Sequence, residues 1–500
     1  MNIKEDILEY LRYLKKYMFI LLALYILIEG YIIFAIGNKY IFMTISSVFV
    51  TPFIICTIIL LYKDFKTTLL IYMFSVPLLP MASYLFSRLN ISWAGDIVNA
   101  LYIIIFLHNV VKAVKKGKFD FSKITFTGKY KYVSIIYIIL IILGVSSALN
   151  SSHAIESLGF FILGFIAMFI FSIVLLCYKG MNLLLVKKVM LYLIIGVVIS
   201  GIPDAVVAVY YIITKNANQH LYGPLGSNFI LGYTIMVLPY LLFITINEDK
   251  KSKDKIIYLI LTLIEVFVLA TQMSRGILVT IIICLVLIIL TDRKNWLKYL
   301  IFGFVVVFCI RYNVLNRWEL SDLKDQLSNG GLTKTIETQI GSKNALVNLL
   351  LKQSGPRRDI WEIAFNVIND HPKLGVGLGN FKYYYLTYGG EIQRSYKDSH
   401  NIILDIMTDF GIPFTIIFFL SIIAATIKSF IRGLKIKDKV TRYTTLFITI
   451  GIVNLFIYGN ITGQAFMTFI HPISTVPGFI FTIIITLMMI ITMEEVGETQ

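Results

Sequence analysis

Long apolar runs, separated by short polar turns, follow one another along almost the whole chain. Most runs hold about 18 to 23 residues, enough for a helix to cross a hydrocarbon core about 30 Å thick. Fourteen spans are predicted, at 17–36, 40–62, 68–86, 95–112, 132–149, 156–178, 189–213, 229–246, 256–273, 276–291, 297–311, 402–428, 443–459 and 470–492. The pattern therefore predicts an all-α, polytopic membrane protein with about 14 transmembrane helices.

Composition agrees with this pattern. Hydrophobic residues make up 57% of the 500 residues and charged residues only 15%, and the mean hydropathy is +0.80. A water-soluble domain of this composition would expose large apolar patches and aggregate. A lipid bilayer is therefore the expected surroundings of most of the chain.

The loops between the predicted spans fall into two alternating sets that differ in their content of lysine and arginine. The set that starts with the N-terminus carries 29 of these residues, whereas the short loops of the other set carry four. Short loops rich in lysine and arginine stay in the cytoplasm. The predicted organisation is a cytoplasmic amphipathic N-terminus, eleven spans, a large extracytoplasmic loop, three more spans and a cytoplasmic tail, at 1–16, 17–311, 312–399, 400–492 and 493–500.

The net charge of +16 follows from this topology and from contact with anionic lipids, so no nucleic-acid partner is predicted.

The four cysteines lie within or at the ends of apolar spans and have no paired spacing. That distribution indicates neither a disulfide framework nor a metal site.

The external segment contains one clear helical pattern. From Pro356 to Asp370, apolar residues recur at helical spacing, which predicts an amphipathic helix. The glycine-rich segment 375–381 follows. It lacks the strand-turn-helix context of a dinucleotide or phosphate loop, so a tight turn that returns the chain to the membrane is predicted instead.

Three arginines at the outer face are candidates for binding phosphate. Arg275 lies between two spans with almost no loop, and a guanidinium can bind a phosphate through two parallel hydrogen bonds. Arg357 and Arg358 begin the amphipathic helix, where their charge adds to the positive end of the helix dipole and suits a diphosphate. The alternatives are a snorkelling anchor at Arg275 and a solvated charge pair at 357 and 358.

His400 and Asn401 open the twelfth span within a polar Asp-Ser-His-Asn cluster. A neutral imidazole can accept the proton of a hydroxyl that attacks an activated carbon, although an interfacial histidine can also be a simple polar cap. Two acidic residues inside apolar runs, Asp204 and Glu265, are further candidates because of their position. Both can instead be neutral or paired structurally.

Taken in order, these motifs resemble the O-antigen ligase and polysaccharide polymerase superfamily of bacterial membrane glycosyltransferases. The resemblance covers about residues 222 to 412. It rests on Gly226-Ser227-Asn228, Ser274-Arg275-Gly276, Arg357 four residues before Trp361, the segment HPKLGVGLGNF from His371, His400-Asn401, and Asp409-Phe410-Gly411.

The resemblance implies a C-type glycosyltransferase-like helical bundle with one large external loop and with no metal or other cofactor. It implies a glycan on undecaprenyl diphosphate as the donor. His400 matches the essential histidine of the family, and Arg275 and Arg357 match its two important arginines. Because Arg358 adjoins Arg357, either of the two can fill that family role.

Four further residues are predicted to contact substrate. Asn228 and Asn401 stand within the matching motifs, and Tyr384 and Tyr385 would stack on sugar rings. The alternative for the tyrosines is an aromatic belt at the membrane interface.

Three functions of the whole chain are compatible with these motifs, and a structural or sensor role for the external loop is a weaker alternative. A polymerase of lipid-linked repeat units into a surface polysaccharide, such as a capsule, is favoured, with a lipid-linked saccharide as the acceptor. The alternative within the same class is a ligase that transfers a finished glycan to another acceptor. A lipid-linked glycan flippase or transporter would show inverted repeats and charges along a membrane path, and such repeats are not evident in the sequence.

Overall fold

A computed structural model describes residues 3–36, 41–80, 92–213, 227–247, 254–271, 275–317, 357–390, 398–462 and 476–494. Over these residues the protein is all-helical, as predicted, and contains no strand. An isolated antiparallel bridge joins the backbones of Phe119 and Tyr178.

The helices are numbered in chain order over the described residues. They are α1 (Ile3–Lys15), α2 (Met18–Ile36), α3 (Ile41–Leu61), α4 (Phe65–Ser75), α5 (Ser92–Lys115), α6 (Lys131–Leu149), α7 (Ala154–Cys177), α8 (Leu183–Ile213), α9 (Ser227–Asn247), α10 (Asp254–Thr271), α11 (Arg275–Thr291), α12 (Trp296–Arg317), α13 (Arg358–Asp370), α14 (Phe381–Thr387), α15 (Ile402–Lys435), α16 (Lys439–Thr462) and α17 (Val476–Glu494).

Six stretches of these helices are long and apolar enough to cross a membrane. They are Ile97–Lys115, Lys131–Leu149, Ala154–Cys177, Leu183–Pro203, Ile402–Lys435 and Lys439–Asn460. The protein is therefore a helical membrane protein, as predicted. Each of the fourteen predicted ranges overlaps one helix. Within the described residues, however, only six stretches are long and apolar enough to cross a membrane. The count of fourteen spans therefore stays a prediction.

Turns that are rich in lysine meet at one end of the bundle. Lys188 forms an ion pair with Asp6 of α1 at 2.6 Å, and Lys63 forms one with Glu9. The N-terminal helix α1, the turn before α4 and the first turns of α8 are thus in contact. We call this the basic end of the bundle.

Turns of the other set meet at the opposite end. Lys382 pairs with Glu156 at 2.7 Å, and the Asn401 side-chain amide donates to the backbone carbonyl of Asn460 at 3.3 Å. Segments from α7, α14, α15 and α16 therefore share this second end, which we call the loop end.

Aromatic side chains fix the start of α15 against α7. Phe410 stacks on Phe414 with ring centroids 4.2 Å apart, and Phe165 meets Phe410 edge-on at 5.1 Å. Phe165 lies in a π-helical turn, Ile162–Ile166, within α7. These contacts hold the first turns of α15, and with them the segment that precedes the helix.

The amphipathic helix predicted after Pro356 is present as α13, with bounds close to those expected. Its apolar face packs with the glycine turn, α14 and the first turn of α15 in a small core separate from the main one. The buried members of this core are Ile360, Ile363, Ala364, Val367, Ile368, Val376, Phe381, Tyr385 and Leu404.

Candidate active site

His400 has a backbone conformation that is unusual for a residue with a side chain. Its φ is 57°, in the left-handed region, and it is the one non-glycine residue with positive φ in the described part of the chain. Such a conformation costs about 1–3 kcal/mol and persists only where the surroundings hold it. The local hydrogen bonds supply that restraint.

Asp398 holds both the backbone and the ring of His400. One carboxylate oxygen accepts from the His400 backbone N–H at 3.0 Å and also contacts the ring Nδ1. A carboxylate accepts hydrogen bonds, so a neutral ring in this position carries its proton on Nδ1 and its lone pair on Nε2. Nε2 is therefore the ring nitrogen that can take a proton from a substrate.

The next two residues anchor the His400 segment to α15. Asn401 caps the helix, because its side-chain oxygen accepts from the backbone N–H groups of Ile403 and Leu404 at 3.0 and 3.1 Å. Asp405, one turn into the helix, accepts from the backbone N–H and the hydroxyl of Ser399 at 2.6 and 2.5 Å. The backbone on both sides of His400 is therefore fixed to a helix N-terminus.

The amphipathic helix α13 contacts the same segment from the other side. Arg357 donates from Nη1 to the backbone carbonyl of His400 at 3.3 Å, and Trp361, one turn later, donates from its indole nitrogen to the carbonyl of Ser399 at 3.1 Å. The Arg-x-x-x-Trp spacing places both donors on one face of α13. The structure thus brings Arg357, His400 and Asn401 together.

A break in α15 connects this segment to the glycine turn. Gly411 has φ 80° and ψ 174°, which interrupts the helix after Phe410. Two carbonyls then lack their ordinary helical donors, because Ile412 bonds to the Pro372 carbonyl instead and Pro413 has no N–H. Buried carbonyls need other partners.

The glycine turn supplies those partners. The backbone N–H of Val376 donates to the Thr408 carbonyl at 2.8 Å, and that of Gly377 donates to the Asp409 carbonyl at 2.9 Å. Ser147 of α6 donates its hydroxyl to the same Asp409 carbonyl at 2.8 Å. The segment 375–381 is a tight turn, as predicted, and it docks α13 and α14 onto the start of α15.

Two glycines in this region provide a matched test of the docking. Both have positive φ, but a methyl group on Gly375 would lie 2.5 Å from the Thr408 carbonyl oxygen, whereas nothing lies within 4 Å of one on Gly389. We expect Gly389→Ala to cost only the conformational penalty of about 1–2 kcal/mol. Gly375→Ala should cost about 1–3 kcal/mol more, because backbone must move.

Thermal unfolding of the two purified variants in the same detergent checks this expectation. The midpoint should fall further for Gly375→Ala than for Gly389→Ala. Equal midpoints would show that the close contact between the turn and α15 is absent.

The predicted tyrosines have different surroundings. Tyr385 is 3% exposed and packs in the small core, a position that offers no ring face to a sugar. Tyr384 is half-buried, and its ring meets His371 edge-on at 5.2 Å. Tyr383, which was not selected, is 37% exposed and stacks on His153 with centroids 3.9 Å apart.

Tyr388, directly after α14, contacts the end of α13. Its hydroxyl donates to Asp370 at the end of α13. Burial and this hydrogen bond raise the pKa of Tyr388 to about 12, so its phenol stays protonated and serves as a structural donor.

Three predicted site residues have side chains outside the part that the structure describes: Arg275, Arg358 and Asn228. Their backbone positions are known. Arg358 begins α13, Arg275 begins α11 and Asn228 lies in the first turn of α9.

Helix packing gives the place of Arg275 in the bundle. α11 packs against α16. Asp292, directly after α11, accepts from the Tyr299 hydroxyl at 3.0 Å, and the Tyr299 ring meets that of Phe447, near the start of α16, with centroids 6.2 Å apart. Arg275 is at the other end of α11, and α16 runs from Phe447 towards Asn460, which bonds Asn401. Because the two helices run in opposite directions, Arg275 begins α11 at the loop end, the end that carries His400.

The structure adds residues that sequence reasoning did not select. Asp398 and Asp405 fix the His400 segment, and Trp361 bonds to it. The spacing Asp-Ser-His, in which a carboxylate commonly accepts the N–H two residues later, was the available signal for Asp398. The described residues contain no group of three or more histidine, cysteine or acidic side chains placed to hold a metal ion.

A search of curated proteins finds no match to this chain. A family model described as O-Antigen ligase matches residues 257–419. The matched segment includes Arg275, Arg357 and His400, together with α13, the glycine turn and the first half of α15. This match of residues 257–419 confirms the predicted resemblance to the O-antigen ligase and polysaccharide polymerase superfamily.

Proposed function

We propose that the protein is a membrane glycosyltransferase that polymerises oligosaccharide repeat units carried on undecaprenyl diphosphate. The observation that carries the proposal is the His400 segment. Its ring is oriented by Asp398, its carbonyl is held by Arg357, and it lies where a long loop meets the helical bundle. A substrate that is anchored in the membrane and bears its sugar at the surface would be presented at such a place.

His400 would act as the general base. A hydroxyl oxygen of the acceptor sugar attacks the anomeric carbon of the donor, and its proton passes to Nε2 of His400. The new glycosidic bond forms as the bond from the anomeric carbon to the diphosphate oxygen breaks. Undecaprenyl diphosphate leaves with the bonding electron pair, and attack from the opposite side inverts the anomeric configuration.

Arg275 and Arg357 would bind the diphosphate. Negative charge grows on the leaving oxygen as its bond breaks, and fixed guanidinium groups stabilise that charge without reorganisation. Asn401, Asn228, Arg358 and Tyr384 are retained as candidates for substrate contact. Tyr385 is omitted from the proposal, because its ring is buried in the small core.

Asp398 is proposed as a positioning residue, since it reaches the substrate only through His400. We expect Asp398→Asn to lower kcat by about 10²–10⁴, because the loss of a carboxylate that orients a catalytic imidazole has effects of up to that size. KM for the donor should change little, because the arginines still bind the diphosphate. Steady-state kinetics with purified protein separate the two constants, and a rise in KM at constant kcat would contradict the positioning role.

We further propose that the fourteen predicted spans all cross the membrane, with both termini in the cytoplasm and residues 312–399 outside. The separation of the bundle into a basic end and a loop end supports this topology. In whole cells, a membrane-impermeant thiol reagent should label a cysteine placed at Tyr383 and leave one placed at Lys437 unlabelled until the cells are opened. The reverse pattern would invert the topology.

A polymerase, a ligase and a flippase differ in what they do with the donor alone. The purified protein, reconstituted in liposomes, is incubated with a lipid-diphosphate-linked oligosaccharide, and the products are separated by length. Chain extension without any other acceptor is the expected result. Transfer only to an added foreign acceptor would indicate a ligase, and movement of the donor across the bilayer without transfer would indicate a flippase.

A further inference from the structure

A cavity of about 340 Å³ lies between four helices at the basic end of the bundle. α6 and α17 each contact both α7 and α15, so these four helices surround it. Its inner part is lined by apolar and aromatic side chains, including Leu140, Phe165 and Phe418. The candidate active site at the loop end does not use this cavity.

The cavity has the depth of one membrane leaflet. It is lined from Tyr130 to Leu140 on one side and from Lys428 to Phe418 on another. Ten residues of helix rise about 15 Å, which is about half the thickness of a hydrocarbon core of ~30 Å. The lining therefore extends from the basic end to about the middle of the membrane.

The mouth of the cavity carries two lysines and is open to the outside of the bundle. Lys129 and Lys428 both line it, and none of the described residues in its lining is acidic. Tyr132, beside the mouth, is 67% exposed. Ser429 and Thr492 add hydroxyl groups to the same rim.

We propose that this cavity binds one acyl chain of an anionic phospholipid, with Lys129 and Lys428 contacting the headgroup phosphate. An apolar tunnel one leaflet deep with two ammonium groups at its mouth matches a fatty chain that ends in a negative headgroup. A zwitterionic phospholipid would bring a cation to the same two lysines. The polyprenyl donor is not the expected occupant, because its proposed diphosphate site at Arg357 lies at the opposite end of the bundle.

Native mass spectrometry of the delipidated full-length protein tests the headgroup preference. Phosphatidylglycerol and phosphatidylcholine with identical acyl chains are titrated separately, and the fraction of protein that carries one lipid gives each Kd. Phosphatidylglycerol should bind more tightly. Lys129→Gln with Lys428→Gln should remove that preference, at about fivefold per lysine.

The control is Lys435→Gln. Lys435 is an exposed lysine of α15, the helix that carries Lys428, but it does not line the cavity. It should keep the full preference. Equal affinities of the two lipids for the unaltered protein, or an equal loss in the control, would overturn the proposal. Displacement of phosphatidylglycerol by stoichiometric undecaprenyl phosphate would also overturn it.

A second measurement locates the chain and does not depend on the lysine variants. Phosphatidylglycerol with a photoreactive group near the end of one acyl chain is cross-linked to the protein, and the labelled peptides are mapped. The label should appear on the inner lining, at 136–140, 165–169 and 418–422. Label spread evenly over the outer surfaces of the helices would contradict a bound chain in the cavity.

Discussion

Replacing His400 with alanine will reduce glycan chain extension by about 100-fold or more, because general-base catalysis contributes about 10²–10⁴ to such a step. Nε2 is the nitrogen placed to accept the proton, since Asp398 contacts Nδ1. The variant should still bind the donor diphosphate, because the proposed diphosphate ligands are arginines. Extension rates and donor affinity, measured on the same purified preparation, check both halves of this expectation.

His108 provides the matched control. It is an exposed histidine in α5, and its ring lies 6.3 Å from that of Tyr62, which precedes Lys63 at the basic end. His108→Ala should leave both chain extension and donor binding unchanged. Full activity in His400→Ala would remove the imidazole from the proposed mechanism.

Replacing Arg357 with alanine will lower chain extension by about 10²–10³, the usual cost of losing one fixed group that stabilises developing charge. Arg357 also holds the His400 carbonyl at 3.3 Å, so two functions are lost together. Arg357→Lys should recover little, because an ammonium group cannot make the two parallel hydrogen bonds of a guanidinium. Donor affinity should fall in both variants.

A variant of Arg358 tests whether Arg357 or Arg358 fills the family role, a choice that the sequence left open. Arg358→Ala should retain most of the activity if Arg357 alone has the family role. A larger loss in Arg358→Ala than in Arg357→Ala would exchange the two assignments. The extension rates of the two purified variants, measured in the same assay, check this expectation.

The helices were largely predictable from the sequence. Apolar runs long enough to span a bilayer have few alternatives to a helix, since a backbone in lipid must satisfy its own hydrogen bonds. A span was predicted at 132–149 and the observed helix is Lys131–Leu149; another was predicted at 229–246 and the observed helix is Ser227–Asn247. The amphipathic helix α13 was also predicted, because its apolar spacing needs no knowledge of a partner.

The contacts that build the site were not predictable in the same way. The bond between Arg357 and the His400 carbonyl joins residues 43 positions apart in sequence, and no local periodicity encodes it. The docking of the glycine turn onto Asp409 depends on a helix break at Gly411 that composition does not reveal. The burial of Tyr385 was not predictable either, since an aromatic run near a membrane surface does not say which ring faces a core.

The most direct test of the account is whether Arg275, Arg357 and His400 lie together at one rim. In protein from which Cys56, Cys177, Cys284 and Cys309 have been removed, cysteines at 275 and 357, or at 275 and 400, are treated with a short bifunctional thiol reagent. Both pairs should cross-link, and all three positions should react from the outer side of the membrane. Failure of both pairs to cross-link, with labelling of 275 and 400 from opposite sides of a core about 30 Å thick, would contradict a single catalytic site.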